Sequence, residues 1–323
     1  MAGSRNKLFT EAVLQAVAAC FSRHTDEGDS VVVAFSGGLD STVLLHAASG
    51  LAGSAALELS AFHVHHGLSD NADAWTDSCA RVCQALDVPF AALRVAVPDQ
   101  TGEGVESSAR RVRHKALADH PADWILLAHH ADDQAETVLH NLLRGAGVRG
   151  AAAMPELHGR VLRPLLGVSR NALEDYARVH QLRWIEDESN RDTRYTRNFL
   201  RREILPAISS RFPGAGEQLA AAASRFSEAN SLLDELAVLD LRGGAPEFPL
   251  PLDLFRELSD ARARNLLRAM ITWHRVQPPD ERRLNEFVRQ LRTAGTDRRP
   301  RIDLAGYSLW CEKGMLLFSK PDY

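Results

Sequence analysis

Four short apolar runs, rich in β-branched residues, recur along the first half of the chain and are separated by segments with helical periodicity. This alternation is typical of βαβ units, which build a parallel sheet with helices on both faces. Ligands of such sheets bind beyond the carboxyl ends of the strands, so the residues that directly follow a strand are the first candidates for a functional site. The predicted strands are Val31–Phe35, Leu57–Val64, Phe90–Val97 and Trp124–Ala128.

The alternation fades beyond residue 150, where helical patterning prevails and a Gly- and Pro-rich break covers residues 243–251. A chain of 323 residues also exceeds the roughly 250–300 residues at which single cores stop growing. We therefore predict an α/β domain with a parallel sheet over residues 1–212 and a smaller, mainly helical domain over residues 213–323. The later predicted elements are helices at Ser169–His180, Gly214–Leu241, Ser259–His274 and Pro279–Leu291, a strand at Arg301–Leu304 and a hairpin turn at Lys313-Gly314.

Composition restricts the class of protein. Hydrophobic residues make up 45% and charged residues 25% of the chain, which is ordinary for a folded globular protein. No apolar run is long enough to cross a bilayer and the first residues form no apolar signal segment, so we expect a cytoplasmic protein without a membrane partner. The four cysteines are too few for a disulfide framework, and we expect Cys79 and Cys83 to be buried apolar side chains.

Charge is unevenly distributed along the chain. The formal net charge is only −4, which gives no overall signature of nucleic-acid binding. Residues 158–215, however, contain 11 Lys and Arg against 7 Asp and Glu, and nearly all of the positive charge is arginine, which suits phosphate contacts. Any RNA contact is therefore expected in this middle segment, with an ordinary solvated surface as the alternative.

The first predicted strand runs directly into Ser36-Gly37-Gly38-Leu39-Asp40-Ser41 and then into a helix. Backbone N–H groups of a glycine-rich loop and a helix N-terminus can together hold an anion such as a phosphate. Neither the Walker pattern nor the dinucleotide pattern G-x-G-x-x-G occurs, which excludes those two classes of nucleotide site. Asp40 is interpreted as a metal ligand, with a helix cap as the alternative. For the loop as a whole, the alternative is a plain glycine-rich turn.

A second polar cluster follows the fourth predicted strand. It contains two imidazoles, His129 and His130, and the carboxylates of Asp132, Asp133 and Glu136. Asp133 and Glu136 are three residues apart and share a helix face, where they suit Mg²⁺ with its preference for carboxylate, phosphate and water oxygens. A zinc or di-iron hydrolase site, or acidic residues favoured by the helix dipole, remain alternatives.

The two clusters carry a family resemblance. The run V-V-V-A-F-S-G-G-L-D-S resembles the pyrophosphate-binding motif of the PP-loop ATP-pyrophosphatases, whose adenine-nucleotide alpha-hydrolase-like domain has a Rossmann-like parallel sheet. The segment H-H-A-D-D-Q-A-E-T is similar to a block of bacterial tRNA(Ile)-lysidine synthetases. Further blocks similar to that family are H-V-H-H-G-L at 63–68, E-S-S-A-R-R-V-R-H-K-A-L at 106–117, L-R-P-L-L at 162–166, E-D-E-S-N at 186–190 and R-N-F-L-R at 197–201.

The resemblance implies a reaction. The oxygen at C2 of the wobble cytidine, in the CAU anticodon of tRNA(Ile), would attack the α-phosphate of ATP and expel pyrophosphate. Free L-lysine would then displace AMP and leave lysidine in the tRNA. ATP and Mg²⁺ are the implied cofactors, tRNA(Ile) and free lysine are the implied partners, and a homodimer is left open. Members of this family commonly continue into a further C-terminal domain that contacts tRNA.

The resemblance also implies roles for particular residues. The catalytic set is Asp40, Arg113, His130 and Asp133, in which Asp40 and Asp133 also hold Mg²⁺. His130 would bind phosphate or shuttle a proton, and Arg113, with Arg110 on the same helix face, would meet developing negative charge. The ATP-binding residues are Ser36, Gly37, Gly38, Leu39, Asp40 and Ser41, and the tRNA-binding residues are Arg191, Arg194, Arg197, Asn198 and Arg201.

Other functions would leave different sequence features. tRNA thiolation shares ATP-dependent adenylation but commonly uses a cysteine pair or an iron–sulfur cluster, and no C-x-x-C occurs here. A glutamine-dependent amidotransferase would commonly carry a cysteine nucleophile at the start of the chain, where position 2 is alanine. An RNA-binding module without catalysis would leave the carboxylate and histidine cluster unexplained.

Overall fold

The computed structural model describes residues 2–65, 67, 71–96, 105–186, 196–293 and 299–320. The chain divides into two compact units, Met1–Ser227 and Glu228–Tyr323. The domain boundary expected between residues 212 and 213 stays a prediction. Within the described ranges, no helix combines the length and the apolar character needed to cross a bilayer.

The first unit is built on a six-stranded sheet, and the four strands predicted from sequence are all present. β1 (Ser30–Ala34), β2 (Glu58–His65), β3 (Phe90–Arg94) and β4 (Trp124–Leu126) run parallel in the order β3-β2-β1-β4. Two short strands, β5 (Leu157–His158) and β6 (Val161–Leu162), extend the sheet beyond β4; β6 is parallel to β4, and β5 is antiparallel to β6.

Helices cover both faces of this sheet, as the βαβ pattern predicted. Val31 and Val33 of β1 pack in one hydrophobic cluster, whereas Val32 packs in another, because alternate side chains of a strand point to opposite faces. The helices of this unit are α1 (Ala2–His24), α2 (Leu39–Ala52), α3 (Ala72–Ala85), α4 (Val105–Ala118), α5 (Ala131–Leu143), α6 (Val148–Ala151), α7 (Arg170–Val179), α8 (Thr196–Phe199), the π-helical turn Leu200–Ile204, α9 (Leu205–Arg211) and the beginning of α10 (Ala215–Asp240).

The strand order positions the candidate site. The chain passes from β1 to β2 and β3 on one side of the sheet, and then returns to place β4 on the other side of β1. β1 and β4 are therefore parallel neighbours, with Val33 opposite Leu126 in the register. Their carboxyl ends form the crevice in which open α/β sheets bind ligands. Both polar clusters found in the sequence begin at this crevice.

The second unit combines helices with an antiparallel sheet. α11 (Leu252–Glu257), α12 (Asp260–Trp273) and α13 (Glu281–Thr293) pack with a sheet of order β7-β10-β9-β8, made of β7 (Leu250–Pro251), β8 (Arg301–Leu304), β9 (Tyr307–Glu312) and β10 (Met315–Ser319). The predicted hairpin is confirmed, since Lys313 and Gly314 both have positive φ and join β9 to β10. The two-residue strand β7 escaped the sequence analysis.

Candidate active site

The loop between β1 and α2 depends on a glycine at position 37. Gly37 has φ +81°, in the left-handed region that glycine adopts without strain. A Cβ atom at this position would also lie 2.8 Å from Cδ1 of Ile185 and 2.9 Å from Sγ of Cys79. The N–H of Ile185 donates to the Gly37 carbonyl at 2.9 Å, so residues distant in sequence form one wall of the loop. Backbone angle and available space therefore both require glycine.

Two serine hydroxyls hold the loop against the start of α2. Ser36 Oγ and Ser41 Oγ are 3.0 Å apart, and Ser41 Oγ donates to the Gly38 carbonyl at 3.1 Å. Gly38 caps α2 in an extended conformation, and the first hydrogen bond of the helix runs from the N–H of Thr42 to the Gly38 carbonyl. The preceding N–H groups have no partner within the helix. The loop therefore presents backbone donors and a helix dipole to an anion.

His130 brings the second cluster to this loop. Its Nε2 lies 3.6 Å from Oδ2 of Asp40 and 3.5 Å from Oδ2 of Asp133, and its Nδ1 lies 3.3 Å from Oδ2 of Asp132. The ring is almost fully buried as the N-cap of α5, and the His130 N–H donates to Asp133 Oδ2 at 3.1 Å. Asp40, His130 and Asp133, all predicted as catalytic, thus form one cluster.

The surroundings of His130 and His129 shift the pKa values of the two imidazoles in opposite directions. Burial alone lowers the pKa of His130, but hydrogen bonds and charges from Asp132, Asp40 and Asp133 outweigh it and raise the pKa to about 10. Nδ1 accepts a hydrogen bond from the Asp132 N–H at 3.3 Å when the ring is neutral, and in the imidazolium the Nδ1–H faces the Asp132 carboxylate instead. For His129, burial and the charges of Arg163, Arg197 and Arg110 outweigh Asp133 and lower the pKa to about 3.

Nitrogen-detected NMR of the imidazoles checks these charge states. At neutral pH we expect His130 to be doubly protonated and His129 to be neutral. Because the folded pKa of His130 exceeds the value of about 6.5 in the unfolded chain, its contribution to stability is complete below pH 6.5 and is lost as the pH rises towards 10. The difference in unfolding free energy between the wild type and His130→Gln should therefore shrink over that range. A neutral His130 at pH 7 would contradict the assignment.

Two buried carboxylates of α5 hold an arginine from the π-helical turn. Arg201 donates from Nη2 to Asp133 Oδ1 at 2.7 Å and from Nε to Glu136 Oε1 at 2.5 Å. Arg197 Nε reaches Glu136 Oε2 at 3.4 Å. The predicted shared face of Asp133 and Glu136 is thereby confirmed, and it faces arginines. Contacts of Arg197 and Arg201 with tRNA stay a prediction.

Arg201→Ala is expected to lower the unfolding free energy by about 2–3 kcal/mol. Breaking a fully buried ion pair costs about 3–5 kcal/mol, and the cost is smaller here because Arg201 is one-third exposed and Arg197 still contacts Glu136. Urea unfolding monitored by circular dichroism measures the change. Arg225→Ala, which removes an exposed arginine of α10, is the matched control and should change stability by less than about 0.5 kcal/mol. Equal effects of the two substitutions would refute the role of the Arg201 pair.

Positive charge surrounds His129. Desolvation and the charges of Arg110 and Arg197 lower the pKa of Arg113, although its side chain remains accessible to solvent. Desolvation and the charge of Arg110 also lower the pKa of Arg163. These arginines come from α4, α8 and the segment after β6, so the fold has concentrated their like charges. We call Arg110, Arg113, Arg163 and Arg197 the basic recess, and such a concentration of charge favours an anionic ligand.

The remaining predicted residues have varied positions. Leu39 is buried in the core, so it can serve a ligand only through its backbone. Asn198 lies in α8, and Arg191 and Arg194 lie outside the described residues. Arg170 was missed by the sequence analysis: its N–H donates to Asp132 Oδ2 at 2.8 Å and its Nη1 lies 3.8 Å from Asp40 Oδ1. Its position directly after the N-cap Ser169 gave no signal of this contact.

Asp40 and Asp133 suit a hard divalent cation to different degrees. Oδ1 of Asp40 is buried and has no hydrogen-bond partner among the described residues, which leaves it available as a ligand. Both oxygens of Asp133 already accept hydrogen bonds, one from the His130 N–H and one from Arg201. Asp40 therefore fits the predicted Mg²⁺ site as it stands, whereas Asp133 would exchange Arg201 for the metal.

Known proteins resemble both units. Residues 9–208 match the family described as PP-loop domain, and residues 250–317 match the TilS substrate binding domain. A tRNA(Ile)-lysidine synthase of Aromatoleum aromaticum is 52% identical over 266 residues, which is 80% of this chain and 62% of that protein. The enzyme of the same name from Burkholderia mallei is 50% identical over 291 residues, covering 86% of this chain and 59% of the relative. The chain thus spans about three fifths of the length of these relatives, and the resemblance indicated by the motifs is confirmed.

A solved structure with the same fold is a U34-tRNA thiolase from Methanococcus maripaludis with its [4Fe-4S] cluster. It has a TM-score of 0.58 and 16% sequence identity, and the match covers 69% of this chain and 80% of that one. At this identity the likeness concerns the fold alone, and it confirms the predicted PP-loop α/β architecture.

Proposed function

The chain belongs to the PP-loop family, and on that premise we propose that it forms lysidine at the wobble cytidine of tRNA(Ile) with a CAU anticodon, using ATP and free lysine. The observation that carries the proposal is that two groups of residues meet at the crevice between β1 and β4. They are the loop of residues 36–41, called the phosphate loop, and the cluster of His130 and Asp133, whose imidazole reaches Asp40 in that loop. The names of the relatives, tRNA(Ile)-lysidine synthase, support this choice of substrate within the family.

The phosphate loop would bind the part of ATP that leaves. Attack on the α-phosphate releases pyrophosphate, and its developing charge needs donors that are already in place. Backbone N–H groups of Gly37 and the first turn of α2 meet that need, because the Ser36 and Ser41 hydroxyls hold the loop in a fixed conformation. Mg²⁺, held by Asp40 and then Asp133, would neutralise phosphate charge when bound.

The charge state of His130 supports one of its two predicted roles. Without a bound cation, the surrounding carboxylates raise its pKa to about 10, which favours donation to an anion over acceptance of a proton from the lysine ammonium. An imidazolium beside the phosphate loop can instead donate to a phosphate oxygen. We therefore propose His130 as a phosphate-binding residue rather than a proton shuttle.

The basic recess would receive the nucleotide that is adenylated. Arg113 and Arg163 carry pKa values lowered by desolvation and by neighbouring arginines, so an anion would relieve their mutual repulsion. The α-phosphate, which is linked to the cytidine oxygen in the intermediate, is such an anion. The second unit, which matches the TilS substrate binding domain, is proposed to contact the rest of the tRNA.

Thiolation is disfavoured by the cysteines. All four of them (Cys20, Cys79, Cys83 and Cys311) are buried, and desolvation raises the pKa of each to about 11 or 12. Sulfur transfer requires an accessible thiolate or several cysteines gathered around a cluster, and none of these buried thiols with raised pKa values is an accessible thiolate.

The test is transfer of labelled lysine. The protein is incubated with ATP, Mg²⁺, radiolabelled lysine and unmodified tRNA(Ile), and label is expected in the tRNA with release of AMP and pyrophosphate. A tRNA in which the wobble cytidine is replaced by uridine is the matched control and should remain unlabelled. Turnover of ATP with unmodified tRNA(Ile) but without lysine transfer would refute the proposal.

A further inference from the structure

A second group of metal-ligand side chains lies outside all the residues assigned so far. Sγ of Cys20, a ring nitrogen of His24 and a carboxylate oxygen of Glu156 all lie within 4.8 Å of one another. We propose that Cys20, His24 and Glu156 form a binding site for a borderline-soft divalent cation, with Zn²⁺ as the best match.

The local structure explains why these side chains meet. Cys20 and His24 are four residues apart near the end of α1, and this spacing places them one above the other on the same helix face. Cys20 is fully buried, whereas His24 is partly exposed at the last turn. Glu156 lies in the segment that leads into β5, at the edge of the sheet, and its side chain supplies the third ligand next to the end of α1.

One ring nitrogen of His24 lacks a hydrogen bond within the part of the chain that the structure describes. Its Nε2 is buried, has no hydrogen-bond partner among the described residues, and lies 3.9 Å from Glu156 Oε1, which is too long for a hydrogen bond. A buried ring nitrogen without a partner is uncommon and is satisfied by a metal ion.

The chemistry of the ligands selects the cation. A set of one sulfur, one nitrogen and one oxygen suits Zn²⁺, whereas Mg²⁺ prefers oxygen alone. Ligand atoms around tetrahedral zinc lie roughly 3.5 Å apart, so the three atoms must approach by about 1 Å, which the partly exposed His24 and Glu156 allow. The Cys20 thiol releases its proton as the sulfur–metal bond forms, with no change of oxidation state, and water takes the fourth position.

Arg23 competes for the same carboxylate. Its Nη2 lies 2.5 Å from Glu156 Oε1, but half of its side chain is exposed, and exposed ion pairs add little to stability. A divalent cation can therefore displace it. Since the N–H of Arg163 donates to the Glu156 carbonyl at 2.9 Å, a metal on Glu156 would also steady the segment that carries Arg163 into the basic recess.

Cobalt substitution tests the site with a readout independent of activity. Co²⁺ added to the full chain is expected to bind one ion with a thiolate-to-cobalt charge-transfer band, which Zn²⁺ removes by displacement. Cys20→Ala should abolish the band, and His24→Gln, at a partly exposed position, should weaken binding at least tenfold. Arg23→Gln should bind Co²⁺ severalfold more tightly than the wild type.

Two buried cysteines provide matched controls. Cys311→Ala and Cys79→Ala should both keep the band, and the second matters because Cys79 Sγ lies 3.8 Å from His63 Nδ1. No charge-transfer band in the wild type would overturn the proposal, as would a band that survives Cys20→Ala or disappears in Cys79→Ala alone.

Discussion

Asp40→Asn is expected to lower the rate of tRNA adenylation by at least about a hundredfold, within the range found when one electrostatic contact to a transition state is lost. The amide keeps the shape of the side chain but removes the negative charge that would hold Mg²⁺. Oδ1 of Asp40 has no hydrogen-bond partner among the described residues, and the ion pairs of Asp40 with His130 and Arg170 are 3.6 Å and 3.8 Å long, so the charge that is lost is one available to a metal. Release of pyrophosphate from ATP in the presence of unmodified tRNA measures the effect.

The same substitution separates the two interpretations of Asp40. Gly38 is the N-cap of α2 and Asp40 lies in the first turn, so the alternative to a metal ligand is a favourable charge at the helix N-terminus, and loss of that charge alone would leave the rate unchanged. Asp133→Asn should cause a similar loss, and tRNA binding should persist in both variants. Asp123→Asn is the matched control and should keep the wild-type rate. The Asp123 carboxylate accepts hydrogen bonds from the N–H and the hydroxyl of Ser30 at the start of β1, away from the carboxyl ends of the strands. Full activity of both Asp40→Asn and Asp133→Asn would refute the metal assignment.

Local patterns were sufficient to predict the sheet that positions the site. The β-branched runs placed β1 and β2 to within one or two residues, because a buried parallel strand is nearly continuously apolar. The strands β5 and β6 are two residues long and have no periodicity that a sequence can display. The same limit applies to β7 in the second unit.

The partners of charged residues depended on the fold. Arg201 belongs to a run of arginines that reads as an RNA-binding surface, yet its guanidinium contacts Asp133 and Glu136, which are more than sixty positions earlier in the chain. His129 and His130 are adjacent residues of the same type, so the sequence alone does not distinguish their environments. One is surrounded by arginines and the other by carboxylates, and only the three-dimensional structure separates their pKa values.

Gly37→Ala is expected to weaken ATP binding by about a hundredfold, the scale on which a displacement of about 1 Å in a site is felt. An alanine would have to keep φ near +81°, which strains an L-residue by about 1–2 kcal/mol. Its Cβ would also come within 2.9 Å of Cδ1 of Ile185 and Sγ of Cys79, so these side chains must shift or the loop must move. The backbone donors would then no longer converge on the phosphates. Calorimetric titration with ATP and Mg²⁺ measures the loss.

Gly28→Ala isolates the contribution of backbone strain. Gly28 has φ +89°, but a Cβ there would meet no atom within 4 Å, and the residue lies before β1. The Gly28→Ala substitution should therefore lower the unfolding free energy slightly and leave the affinity for ATP unchanged. Adding Ile185→Ala to Gly37→Ala removes the closer of the two contacts and should recover part of the affinity, since Cys79 still opposes the new methyl group. Wild-type affinity in Gly37→Ala itself would contradict the role of this loop in phosphate binding.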